Sequence, residues 1–121
     1  MKHNNIIVEK SFQFSLRILK LVPYLRDRKI EHVLLNQILK SGTSIGANVE
    51  EAIGGSSKND FIYKLEIANR EARETRYWLR LFKDGDLLED KLAISFIQDC
   101  DELLRILSSI IKSTKYPKAT E

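Results

Sequence analysis

Apolar residues return every three or four positions along almost the whole chain, and nowhere do they alternate every two. Residues 5–28 place Ile7, Ser11, Phe14, Ile18, Leu21 and Leu25 on one line, with Val8, Phe12, Ser15, Leu19 and Val22 beside it. That spacing is helical, with a wide apolar arc. Residues 31–53 repeat the pattern through Leu34, Leu35, Ile38, Ile45, Val49 and Ile53. Residues 58–83 do so through Phe61, Leu65, Ala68, Ala72, Leu79 and Phe82. Residues 87–114 carry Leu92, Phe96, Cys100, Leu103, Leu107 and Ile110, with Leu88, Ile97, Leu104 and Ile111 alongside. Pro23 is expected to kink the first helix, because it removes a hydrogen bond and crowds the preceding turn. Gly54-Gly55 is expected to end the second helix in a left-handed conformation. Ser57 should cap the third, and Asp84-Gly85-Asp86 should break it. With only five glycines and two prolines in 121 residues, turns are few. Four long helices on short connections predict an all-α, antiparallel up-down four-helix bundle, one domain over residues 1–121.

The stretch SGTSIGANVEEA, residues 41–52, stands out for its lack of bulk. A phosphate-binding loop would need a preceding strand and a following lysine and hydroxyl, and no lysine occurs between Lys40 and Lys58. Gly42 and Gly46 instead share one helix face, with Ser44 and Ala47 adjacent. Two interior glycines cost about 1 kcal/mol each relative to alanine, so the spacing predicts a seam where a neighbouring helix comes close enough to offset that cost.

Net charge is only +3, yet its distribution is uneven. Residues 1–29 carry a balance of +5 and residues 58–83 of +3, whereas residues 84–111 carry −5. No apolar run approaches the roughly 20 residues of a membrane span. The start, MKHNNIIVEK, has no continuous apolar core of a signal peptide. A cytoplasmic protein without a membrane partner is expected. The single cysteine, Cys100, cannot form an internal disulfide and falls on an apolar stripe, so a buried, inert thiol is expected.

Signatures of catalysis are missing. A di-iron bundle needs Glu-x-x-His pairs, and neither His3 nor His32 has a glutamate three residues before it. Arg28 and His32 are too close for the Arg-to-His spacing of the all-helical ribonucleases. The acids Glu50, Glu51, Glu66, Glu71 and Glu74 could pair, but on long helices such residues belong to solvated or salt-bridged surfaces, as Glu66 and Glu74 do with Arg70 four residues away. No catalytic residue, metal, cofactor or small-molecule substrate is expected.

Basic stripes carry more information. Lys10, Arg17, Tyr24 and Arg28 recur at near-heptad spacing on the first helix, with Lys20 beside them. Arg70, Arg73, Arg76 and Arg80 occupy about a third of the third helix's circumference. The eight lysines and arginines among these are the candidate nucleic-acid-binding residues. At about 100° per residue, Tyr63, Ile67, Trp78 and Leu81 fall together well away from the core stripe of the third helix. An aromatic patch of this kind is typical of an oligomer interface. The alternative is that the first helix covers it within the chain.

LLNQILKSGTSIGANVEEA followed by SSKNDFIYKLEIANREARETRYWLRLF resembles the bacterial four-helix-bundle proteins encoded in intervening sequences of 23S rRNA genes. The matching features are the small-residue run Ser41–Asn48, the Ser57-Lys58 helix start, Phe61, and Ile67-Ala68 with Glu71 and Glu74. The resemblance implies an antiparallel four-helix bundle assembling as a ring-shaped homopentamer. A related branch serves the reverse transcriptase of diversity-generating retroelements and binds nucleic acid through a basic surface. The expected function is therefore a non-enzymatic oligomeric adaptor that contacts RNA or a nucleic-acid enzyme. The rival expectation is a protein-protein scaffold whose acidic fourth helix receives a neighbour's basic first or third helix.

Overall fold

A computed structural model describes the backbone of residues 2–118 and the side chains of residues 6–118. The elements are α1 (Lys2–Asp27), α2 (His32–Ile53), α3 (Lys58–Asp84) and α4 (Asp90–Lys115), and no strand occurs among the described residues. Helix ends differ from the spacing-based bounds by up to three residues. Each helix packs on its neighbours in cyclic order, and among the described residues the backbones of neither diagonal pair come close. Cross-helix contacts give the directions. Gly42 meets Ile18 while Gly46 meets Ser11; Ser41 pairs with Thr75, and Glu51 with Lys64. Arg76 pairs with Asp101, and Asn69 with Ser108. As one helix advances its neighbour recedes, so the bundle is antiparallel and up-down.

The core collects one stripe from every helix. Ile18, Leu25, Leu35, Ile38, Ile45, Leu65, Leu79, Phe82, Leu103 and Leu107 are all buried, each side chain contributing about 1.5–3 kcal/mol from the area removed from water. The second stripe expected on α1 is not uniformly inside. Val22 is buried and Val8 half-buried, whereas Phe12 and Leu19 stand 56% and 53% exposed. A helix corner in a four-helix bundle covers only the arc facing its two neighbours, so the far edge of a wide apolar arc is left in solvent.

The close approach lies between α1 and α2. A Cβ on Gly42 would sit 2.7 Å from the Ile18 side chain, and one on Gly46 would sit 3.2 Å from the Ser11 carbonyl oxygen. Ser11 is itself buried, and Ser15 donates to the Ser11 carbonyl at 3.1 Å. Ser44 is only half-buried and Ala47 is exposed. Ser44 lies about 200° around the helix from Gly42, so these two do not share the glycine face. On the other side of α2, the buried Ser41 and Thr75 hydroxyls lie 2.9 Å apart. Thr75 also approaches the Glu71 carbonyl at 2.8 Å. With one proton per hydroxyl, Thr75 donates to that carbonyl and Ser41 donates to Thr75. The pair ties α2 to α3 without leaving a polar atom unmatched.

Helix ends follow local chemistry, with one departure from expectation. Ser57 accepts from the Asp60 amide at 3.1 Å, as a cap should. No glycine adopts positive φ; Gly54 ends α2 at φ −84°. The left-handed positions are Lys29 (φ 62°) and Asp86 (φ 60°). At Asp86 the Leu87 amide donates back to the Phe82 carbonyl at 2.8 Å and Asp86 to Lys83 at 3.2 Å, the bond pattern of a Schellman termination. α1 runs through Pro23 as one helix to Asp27. Proline there deprives the Leu19 carbonyl of its amide partner, on an exposed side where water can take its place.

Gly46→Leu should separate α1 from α2 and lower stability by about 1–3 kcal/mol, because the added bulk meets the Ser11 backbone as well as the Ser15 hydroxyl. A lowered thermal midpoint in circular dichroism is the expected outcome; an unchanged midpoint would contradict the seam.

Candidate nucleic-acid surface and assembly faces

The four basic candidates on α1 and in the turn just after it, Lys10, Arg17, Lys20 and Arg28, divide into two pairs. Lys10 reaches Glu102 at 3.2 Å, and Arg17 is ion-paired to Asp99 and donates to Ser95 at 3.2 Å. The Arg17 guanidinium also lies 3.9 Å over the Phe96 ring. Arg17, a candidate for nucleic-acid contact, faces α4 and closes the α1–α4 edge. Lys20 and Arg28 have no acidic partner within ion-pair distance among the described residues. Arg28 donates to the Tyr24 hydroxyl at 3.2 Å, one turn away.

On α3 the four arginines stay together. Arg76 is bound to Asp101 at 2.7 Å, and Arg73 donates to Asn69 at 3.2 Å. Arg70 and Arg80 have no acidic partner among the described residues. Arg73, Arg76 and Arg80 line a groove of about 360 Å³ with Tyr77 and Leu104. Further along the same α3–α4 edge, Arg70, Lys112 and Lys115 surround a hollow of about 550 Å³. Lys115 is held by Glu66 at 2.8 Å, which raises its pKa through that hydrogen bond. From Arg80 to Glu66 the strip runs about 21 Å at 1.5 Å per residue. Arg70, Arg73, Arg80 and Lys112 make no ion pair there among the described residues. Sequence spacing did not place Lys112, Lys115 or Tyr77 on this face. Lys112 and Lys115 sit at the end of an otherwise acidic helix, and only the antiparallel register brings them level with Arg70.

The residues expected at an oligomer interface form two groups, not one. Tyr63 and Leu81 are exposed, while Ile67 and Trp78 are half-buried. Tyr63 and Leu81 lie about 27 Å apart along α3. Trp78 packs against the core and donates to Glu74 at 3.3 Å. α1 is not laid over either group, because among the described residues its backbone runs close to α2 and α4 and not to α3. A second exposed apolar ridge, Phe12, Leu16 and Leu19, runs along α1.

Cys100 is fully buried, and desolvation, helped by Asp101 and Asp99, pushes its thiol pKa well up. It has no reactive character. No cluster of three metal-ligating side chains occurs among the described residues, and the His3 side chain lies outside them. Among the described residues no helix is long and apolar enough to cross a membrane.

Glu71 has a raised pKa, from burial first and the Glu74 charge second, opposed by Lys40 and Arg70. Above its ordinary value of 4.5, the folded state therefore holds its proton longer than the unfolded state does, and stability falls as pH rises through that window. Glu71→Gln should be more stable than wild type at neutral pH, with the difference vanishing in acid. Denaturant midpoints at several pH values check this; a pH-independent difference would point to packing instead.

A family model described as 23S rRNA-intervening sequence protein matches residues 3–109. Among solved structures, the chain is similar to a protein of unknown function from the S23 ribosomal protein family of Bacteroides thetaiotaomicron. The two share 43% identity at a TM-score of 0.87, over 91% of this chain and 98% of that one. No curated protein matches.

Proposed function

The chain belongs to the 23S rRNA-intervening sequence protein family, and we propose that it is a non-catalytic adaptor that holds the phosphate backbone of RNA along its α3–α4 edge. The observation that carries this reading is a strip about 21 Å long on which Arg70, Arg73, Arg80 and Lys112 make no ion pair with any acid among the described residues. The strip would span about six nucleotides at ~3.4 Å each along one strand. Contacts of this kind recognise phosphate and carry little sequence information. Of the α1 stripe, Lys20 and Arg28 supply additional charge, while Lys10 and Arg17 act within the bundle. Replacing Arg70, Arg73, Arg80 and Lys112 by glutamine should flatten the dependence of log affinity on log salt by about one unit per lost contact. The loss should be similar for unrelated RNA sequences, read by filter binding at several salt concentrations. An unchanged slope would remove the strip from consideration.

The proposed working form is a homo-oligomer, the ring-shaped pentamer that the family resemblance implies, which would repeat the strip and strengthen its field. The exposed ridge Phe12, Leu16 and Leu19, and Leu81 beside the half-buried Trp78 on α3, offer apolar surface for it. These surfaces also support the second reading, a protein scaffold without nucleic acid. Phe12→Ser with Leu19→Ser should reduce the assembly mass in light scattering while preserving helical circular dichroism. A wild type that is monomeric at micromolar concentration would remove the oligomer.

A further inference from the structure

Between the arginines of α3 sits a side chain that phosphate binding does not require. Tyr77 is 54% exposed and lines the groove formed by Arg73, Arg76, Arg80 and Leu104. Helical spacing puts Arg73 one turn before it and Arg80 one turn after it on the same face. Its ring stands edge-to-face against Trp78, with centroids 5.2 Å apart and planes at 71°. Trp78 is anchored by the core and by its bond to Glu74. Tyr77 is thus braced from one side by a fixed indole, while its exposed part borders the groove. An aromatic face flanked by unpaired guanidinium groups matches what an unpaired base and its two neighbouring phosphates require together. In a duplex the base faces are hidden in the stack, and only backbone and groove edges are presented.

Building on the backbone-binding reading above, we infer that the groove selects single-stranded nucleic acid, with Tyr77 as the platform on which one base stacks. Arg73 and Arg80 hold the phosphates on either side of that base. Leu104 provides an apolar floor, and Arg76, already tied to Asp101 at 2.7 Å, fixes the groove wall.

The test uses the intact protein with a labelled mixed-sequence single-stranded RNA, and with the duplex made by adding its complement, in fluorescence anisotropy at low salt. Wild type should bind the single strand more tightly than the duplex. Tyr77→Ala should weaken single-strand binding on the order of ten-fold and leave duplex binding nearly unchanged. Tyr77→Phe and Tyr77→Trp should restore the single-strand preference, because the π face and not the hydroxyl is used. Arg73→Gln with Arg80→Gln should weaken both forms. Equal losses on single strand and duplex for Tyr77→Ala, or a changed assembly mass in light scattering, would overturn the stacking role while leaving the backbone reading intact. If wild type binds neither RNA, both fall together.

Discussion

The approach of α1 to α2 across Gly42 and Gly46 is the constraint on which the remaining geometry depends. Side-chain-free positions let the Ser11 backbone and the Ile18 side chain lie where a Cβ would otherwise intrude. Two interior glycines weaken a helix by about 2 kcal/mol in total, so the contacts they admit must offset that. Drawing α1 toward α2 leaves the α1–α4 edge as the thinner of its two contacts. Long charged side chains bridge that edge: Lys10 to Glu102, and Arg17 to Asp99. Below them, Phe14 and Phe96 meet edge-on at 6.1 Å.

α4 organises the electrostatics of the whole chain. Asp99 and Glu102 turn to α1, while Asp101 turns to α3. Its acidic character is thereby matched within the bundle, so the rival picture of a free acidic helix awaiting a neighbour loses its main support. These pairs are partly exposed, and each contributes modestly to stability. Their larger consequence is selective. They engage Lys10, Arg17 and Arg76 and leave Arg70, Arg73 and Arg80 without an ion pair among the described residues, close together on the α3–α4 edge.

Where sequence reasoning went astray, the cause was geometric. Phe12 and Leu19 fit a helical apolar arc, but periodicity does not tell how wide an arc two neighbours can cover. Tyr63 and Trp78 share a direction on a helical wheel, yet a wheel discards the rise that places them more than 20 Å apart. Gly54-Gly55 looked like the left-handed stop, whereas Lys29 and Asp86 take that conformation. Aspartate tolerates it through its short polar side chain; nothing in the structure explains the choice of lysine. Tyr77 carried a usable signal that spacing alone could have shown, an aromatic one turn from Arg73 and Arg80.

What the amino-acid order determined by itself is the local part. Apolar period, sparse glycine and proline, and the Ser57 cap specify four helices and nearly all of their cores, because helix formation and amphipathicity are properties of neighbouring residues. The glycine pair was likewise legible as a site of close packing, since a helix carries such a penalty only for a compensating contact. Which charges remain free was not legible. An ion pair joins residues as far apart in the chain as Lys10 and Glu102. Its formation depends on antiparallel register and helix rotation, and both are set by how the four cores interlock. The same register brings Lys112 level with Arg70. Only the tertiary structure could turn a basic sequence segment into a basic surface.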